Sequence, residues 1–210
     1  PEKSVALIGA FLDRPRFQGA GSSMVNPTRV DDVAREIVAK AGEDHVSQAP
    51  GFSIAVDPDP AEVESLRAAA VDLAARNDVA VLFLGLPARL ESEGYDRDDI
   101  DLPADQLALL DAVLAVTPNV VVVLANGGVV ALPFADRVPA ILEGWLLGQA
   151  GGGAIADVLY GDVNPSGKLT ETIPVRLSDT PAALDFPGEF GHVRYGEGLF
   201  VGYRWYDARG

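Results

Sequence analysis

Short, uninterrupted apolar runs alternate along this chain with longer stretches in which apolar residues recur every three or four positions. Ser4 to Ile8 (SVALI), Val79 to Leu84 (VAVLFL) and Val120 to Leu124 (VVVVL) are of the first kind. A strand with one wet face alternates polar and apolar positions, so runs without alternation fit strands covered on both faces. Ala140 to Glu143 reads as one more strand and His45 to Ser47 as a brief one. The second kind begins where Asp31 or Asp32 can cap a helix carrying Val33, Ile37 and Ala41 on one face, with Gly42 just past its end. Ala61 to Arg76 repeats the pattern through Val63, Leu66, Ala70 and Leu73, and Asn77 and Asp78 end it. Pro103 and Asp105 mark the first turn of a third helix, with Leu107, Leu110 and Leu114 as its predicted buried stripe up to Pro118. Gly151 to Tyr160 reads as a fourth, entered through glycines.

Strands alternating with helices predict an α/β domain: a mostly parallel sheet between helices on both faces, because parallel neighbours need crossover connections. Beyond Asp162 the pattern changes. NPSGKL, IPV and LFVGYRWYD stand between Pro- and Gly-rich segments, which predicts an irregular C-terminal tail wrapping the sheet with short extended pieces. Gln48 to Pro60, rich in proline and polar residues, reads as a surface connection. With 210 residues and 48% hydrophobic content, residues 1–210 are expected to form a single domain with a core of its own. The opening PEKSVALIGAF lacks the long apolar core of a secretory signal and enters directly on a strand, as the middle of a longer protein would.

Charge narrows the partners. Against 16 basic residues stand 31 acidic ones, a net charge of -15 that repels a phosphate backbone and an anionic membrane surface alike. Neither nucleic acid nor membrane is expected as a partner, and no apolar run approaches the roughly 20 residues of a span. Without cysteine there is no disulfide framework, thiolate zinc site or nucleophilic thiol. His45 and His192 stand far apart outside any ligand-spaced cluster, so no metal is expected. Gly19 to Ser23 (GAGSS) lacks both the GxGxxG spacing and the lysine of phosphate loops, so no cofactor is expected, and no GxSxG elbow surrounds Ser22 or Ser23. That loop can still offer backbone amides and the Ser22 hydroxyl to a polar ligand. Trp145 suits either sugar stacking or the core, with the core favoured, and Tyr195, Tyr203, Trp205 and Tyr206 read as tail packing.

In open parallel sheets ligands bind beyond the carboxyl ends of the strands. Two loops qualify, Phe11 to Pro27 and Gly85 to Asp101, and the second far exceeds the roughly 2–6 residues usual for such a connection. Within Leu90 to Pro103 (LESEGYDRDDIDLP) it gathers Glu91, Glu93, Asp96, Asp98, Asp99 and Asp101 around Arg97. Composition alone describes a solvated acidic loop; its position describes a site with one tuned carboxyl group. A general acid working at neutral pH needs a raised pKa, which neighbouring carboxylates and burial supply and Arg97 opposes.

Taken together, VALIGAF with QGAGSSMVNP, SEGYDRDDIDLPADQ, VVVVLANGGVVALPF, AILEGWLLGQAGGGAIADVLYGDVNPSGKL and YGEGLFVGYRWYD resemble the carboxy-terminal α/β sandwich domain of family 3 glycoside hydrolases, the β-glucosidase type. Thr170, after SGKL, departs from the proline usual there. The resemblance implies a retaining, exo-acting glycosidase for β-linked glycosides in which a preceding (β/α)8 barrel, absent from these residues, carries the aspartate nucleophile. It implies Glu93 as the acid/base and Ser22 as a sugar contact; in the reading of the loop itself Glu91 is the fallback and Asp96 with Arg97 a loop-shaping pair. The competing expectation is a carbohydrate-binding or scaffold domain of the same fold without catalysis. A nucleotide-binding α/β protein stands third.

Overall fold

The computed structural model describes residues 3–209. Along the chain run β1 (Val5–Ile8), α1 (Val33–Ala41), β2 (Val46–Ala49), α2 (Pro60–Ala75), β3 (Val79–Gly85), α3 (Ala104–Leu114), β4 (Val120–Ala125), β5 (Ala140–Glu143), α4 (Gly151–Tyr160) and α5 (Tyr203–Arg209). The strands form one sheet in the order β2-β1-β3-β4-β5, and every pairing is parallel. Helices flank this sheet, as the alternation predicts. The first crossover, through α1, steps outward from β1 to β2, whereas α2 carries the chain back across β1 to β3. Right-handed connections then put α1 and α2 on opposite faces. Accordingly α1 packs on α4, and α2 on α3.

The all-apolar runs sit where they should. Residues 80–85 of β3 are all buried, and the edge strands β2 and β5 are only partly covered. Asp32 caps α1 by accepting from the Arg35 N–H at 3.1 Å. Lys40, near the other end of α1, reaches Asp157 at 2.7 Å and Asp162 at 2.5 Å at the end of α4, and these two carboxylates raise its pKa. The brief strand begins one residue later than predicted, because Glu43–His45 forms a 3-10 turn first.

Three expectations change. The buried positions of α3 are Gln106, Leu109, Leu110 and Val113, so the stripe is rotated away from Leu107 and Leu114, which are only partly covered. In α2 the fully buried residues are Ala70 and Ala74, while Val63, Leu66 and Leu73 sit half-buried; small side chains let this helix approach the sheet closely. The tail is irregular, but its last piece is the helix α5 rather than an extended segment, and a lone bridge between Glu189 and His192 is the extended pairing found there among the described residues. Residues 163–169 run beside β5 and α4, enclosing a cleft of about 600 Å³.

Gln106 explains the rotated stripe. Its Nε2 donates to the Gly85 carbonyl at 2.9 Å and its Oε1 accepts from the Gly85 N–H at 2.9 Å. One buried amide side chain thus satisfies both backbone groups of the residue where β3 ends and the acidic loop begins. Gly85 has φ +156, and a Cβ there would lie 2.0 Å from the Ala125 carbonyl oxygen, so no other residue fits against β4. Replacing Gln106 by leucine leaves a buried donor and acceptor unpaired. The expected cost is about 2–6 kcal/mol, at roughly 1–3 kcal/mol for each of the two orphaned groups, read as a lower urea midpoint with unchanged slope.

Candidate active site

The strand order reverses between β1 and β3, and in open α/β sheets such a switch point leaves a crevice at the carboxyl edge. Both loops singled out from the sequence leave the sheet there. The loop after β1 brings Gly21 and Ser22 against the tip of the loop after β3. Gly21 has φ +92, and a Cβ on it would lie 2.6 Å from the Glu93 Cβ; only glycine permits so close an approach. The Glu93 N–H donates to the Ala20 carbonyl at 3.4 Å.

Glu93 is exposed, and Ser22 partners it directly. The Ser22 backbone N–H donates to Glu93 Oε2 at 2.7 Å, and the Ser22 hydroxyl donates to the same oxygen. Oε1 has no hydrogen-bond partner among the described residues. These bonds favour the ionised carboxylate, so the pKa of Glu93 is lowered, chiefly by the hydroxyl and then by the amide. The neighbouring carboxylates, considered from sequence as a source of an upward shift, contribute nothing that competes with Ser22.

Glu91 has a different environment. Its Oε2 accepts from the Gly127 N–H at 2.7 Å and its Oε1 from the Gly128 N–H at 2.6 Å, in the turn that follows β4. Arg16 Nη2 lies 3.3 Å from Oε2 and donates to the Glu91 carbonyl at 3.0 Å. The same guanidinium donates through Nε to the Leu86 carbonyl at 2.9 Å, and through Nη1 to the Gln18 carbonyl. Arg97 Nη2 donates to the Val129 carbonyl at 2.8 Å, and no bond or ion pair joins Arg97 to Asp96 among the described residues.

Arg16, Gly127 and Gly128 were not singled out from sequence. Asn126–Gly128 reads only as a turn, and an arginine between Pro15 and Phe17 gives no signal that its partner lies 75 residues on. Glu143, at the end of β5, also escaped notice. Burial raises its pKa, against the pull of the Trp145 amide and the Asn126 side chain. Trp145 itself is half-buried rather than part of the core. It has a left-handed φ of 49°, its N–H donates to Glu143 Oε1 at 2.9 Å, and it lines the cleft beside β5. In the tail, Trp205 donates to the Asp179 carbonyl at 3.0 Å, whereas Tyr195 and Tyr203 stay exposed, so the aromatic residues expected to pack together do so only in part.

Known proteins share this fold. The model of the glycosyl hydrolase family 3 C-terminal domain matches residues 1–203. A thermostable beta-glucosidase B from Acetivibrio thermocellus is 51% identical over 207 residues, which is 99% of this chain and 27% of the relative. An exo-alpha-(1->6)-L-arabinopyranosidase from Bifidobacterium longum is 50% identical over 212 residues, 100% of this chain and again 27% of the relative. The chain therefore spans about a quarter of the length of these curated relatives. Among solved structures, the family 3 beta-glucosidase of Bifidobacterium adolescentis superposes with a TM-score of 0.91 at 48% identity, covering 99% of this chain and 30% of that one. An all-parallel sheet with an acidic loop at its switch point, a family model spanning nearly every residue and relatives near half identity lead to one assignment: this chain belongs to the glycosyl hydrolase family 3 C-terminal domain family.

Proposed function

We propose that this domain carries the acid/base of a retaining, exo-acting glycosidase, with Glu93 in that role. The observation that carries this reading is the contrast between two glutamates two residues apart. Glu91 has both oxygens committed to backbone amides, while Glu93 is held by one oxygen and offers the other at the open end of the crevice. Retaining hydrolysis needs two carboxyl groups about 5–5.5 Å apart. The nucleophile is assigned to a (β/α)8 barrel elsewhere in the same polypeptide, and the relatives' greater length supports such a partner domain. The tail supports it too. Leu184 and Phe190 are each 97% exposed and Leu199 86%, bare apolar side chains suited to burial against another domain.

In the first step Glu93 protonates the glycosidic oxygen as the nucleophile attacks the anomeric carbon; in the second, the Glu93 carboxylate takes a proton from the water that releases the sugar. Ser22 holds Glu93 ionised in the isolated domain, which suits the second step but not the first. Closure on the barrel supplies the opposite influence, because a second carboxylate nearby and loss of water both favour the protonated form. The sugar is set mainly outside this domain. Relatives named for glucoside and arabinopyranoside chemistry are equally close to it, at 51% and 50% identity.

Three outcomes are expected. The 210 residues alone give no measurable release of phenol from an aryl β-glucoside, while the complete polypeptide does. In the complete polypeptide, Glu93→Gln lowers kcat/KM roughly 10²–10⁴-fold for a poor leaving group and far less for dinitrophenol, since only the former needs a proton; equal losses would move the role elsewhere. In the isolated domain the depressed Glu93 pKa contributes stability that is present above its ordinary value and lost as pH falls through the folded value. Ser22→Ala therefore raises the Glu93 titration midpoint, followed by carboxyl carbon NMR, and removes that acid-side loss of stability.

A further inference from the structure

Building on the assignment of Glu93 as acid/base, we infer that Glu91 is the positioning residue that sets where Glu93 stands. Glu91 and Arg97 flank the tip of the acidic loop, and both are pinned to the same turn after β4: Glu91 to the amides of Gly127 and Gly128, Arg97 to the carbonyl of Val129. Between the pins the tip makes no hydrogen bond to the turn after β4 among the described residues: Glu93 is held by Ser22, Tyr95 donates back to the Ala88 and Arg89 carbonyls, and Gly94 is bare. Gly94 has φ +97, and nothing lies within 4 Å of where its Cβ would be. Glu93 thus rides on a short arch that leans on the loop after β1 through Ala20 and Ser22 and has its footing on the β4 side in the Glu91 carboxylate.

The footing is built for a carboxylate. Two successive backbone N–H groups form a nest that binds an anion, one to each oxygen, and Arg16 adds a positive charge at 3.3 Å. The side chains of Arg16 and Glu91 are only 8% and 18% exposed, so water competes weakly with the pair. Asn126, fully buried, donates to the Gly128 carbonyl at 3.0 Å and holds the turn in shape. A glutamine at position 91 would meet one of the two amides with its own NH2 group, donor against donor. Through Arg16 the same footing reaches Leu86 and Gln18, so the loops after β1, β3 and β4 share one anchor. Displacing that anchor moves Glu93 without touching any group that meets the substrate.

The test uses the complete polypeptide and aryl glycosides of its preferred sugar, one releasing phenol and one dinitrophenol. Glu91→Gln is expected to lower kcat/KM for the phenyl glycoside about 10- to 100-fold, the scale of a misplacement near 1 Å, and clearly less for the dinitrophenyl glycoside. In a Glu93→Gln background the same change should add less than about twofold, because residues acting through one another are not additive. Gly127→Ala keeps Glu91 but places a Cβ 3.1 Å from its Oε2, and should give the same leaving-group signature; should Glu91→Gln fail to fold, this variant decides. Equal losses on both substrates, or a full additive loss on top of Glu93→Gln, overturn the inference. Leaving-group dependence in Glu93→Gln with none in Glu91→Gln overturns it alone, whereas none in Glu93→Gln brings down the acid/base assignment and this inference with it.

Discussion

Everything at the site depends on the strands running the same way. Because the pairings are all parallel, each strand delivers its following loop to one edge of the sheet. The reversal of strand order sends the chain away from β1 on both sides there. Val5–Ile8 is in register with Val79–Leu82, so two loops more than 70 residues apart in sequence start side by side. An antiparallel arrangement would have put Ser22 and Glu93 at opposite ends of the domain. The clamp of Gln106 on Gly85 then determines where β3 stops, and with it how far the acidic loop reaches.

With a net charge of -15, the domain has carboxylates everywhere, and what distinguishes them is who donates to them rather than how many stand nearby. Glu91 and Glu93 are the same residue type in the same loop. One is consumed by two main-chain amides and a guanidinium; the other shares a single oxygen with one serine. Hydrogen bonds to the ionised form dominate at the exposed position, where like-charge repulsion is weakened by water. At Glu143, partly withdrawn from solvent, desolvation dominates and the shift has the opposite sign.

Much of the fold was legible because the core strands announce themselves: VAVLFL and VVVVL carry no polar residue, so two-sided burial was the natural reading. The helices were legible in extent but less so in facing. A stripe counted from leucines misses Gln106, since a buried amide gives no hydrophobic signal and its partner is a backbone group 21 residues away. Local pattern likewise cannot show that Ser22 donates to Glu93, or that Asn126–Gly128 is a seat rather than only a turn, because both depend on strand order. The end of the tail misled for a related reason. Aromatic and β-branched residues around Phe200 to Tyr206 have strand-like preferences, yet no sheet edge receives them and local hydrogen bonding forms α5 instead.

Gly21 carries a consequence for how such domains can vary. Its backbone lies so close to Glu93 that the loops after β1 and β3 behave as one mechanical part assembled from two distant stretches of sequence. Lengthening either loop by a residue would lift the glycine off the glutamate or drive a side chain into it. Insertions in one are therefore tolerated only with matching changes in the other, and these two segments should change length together across the family.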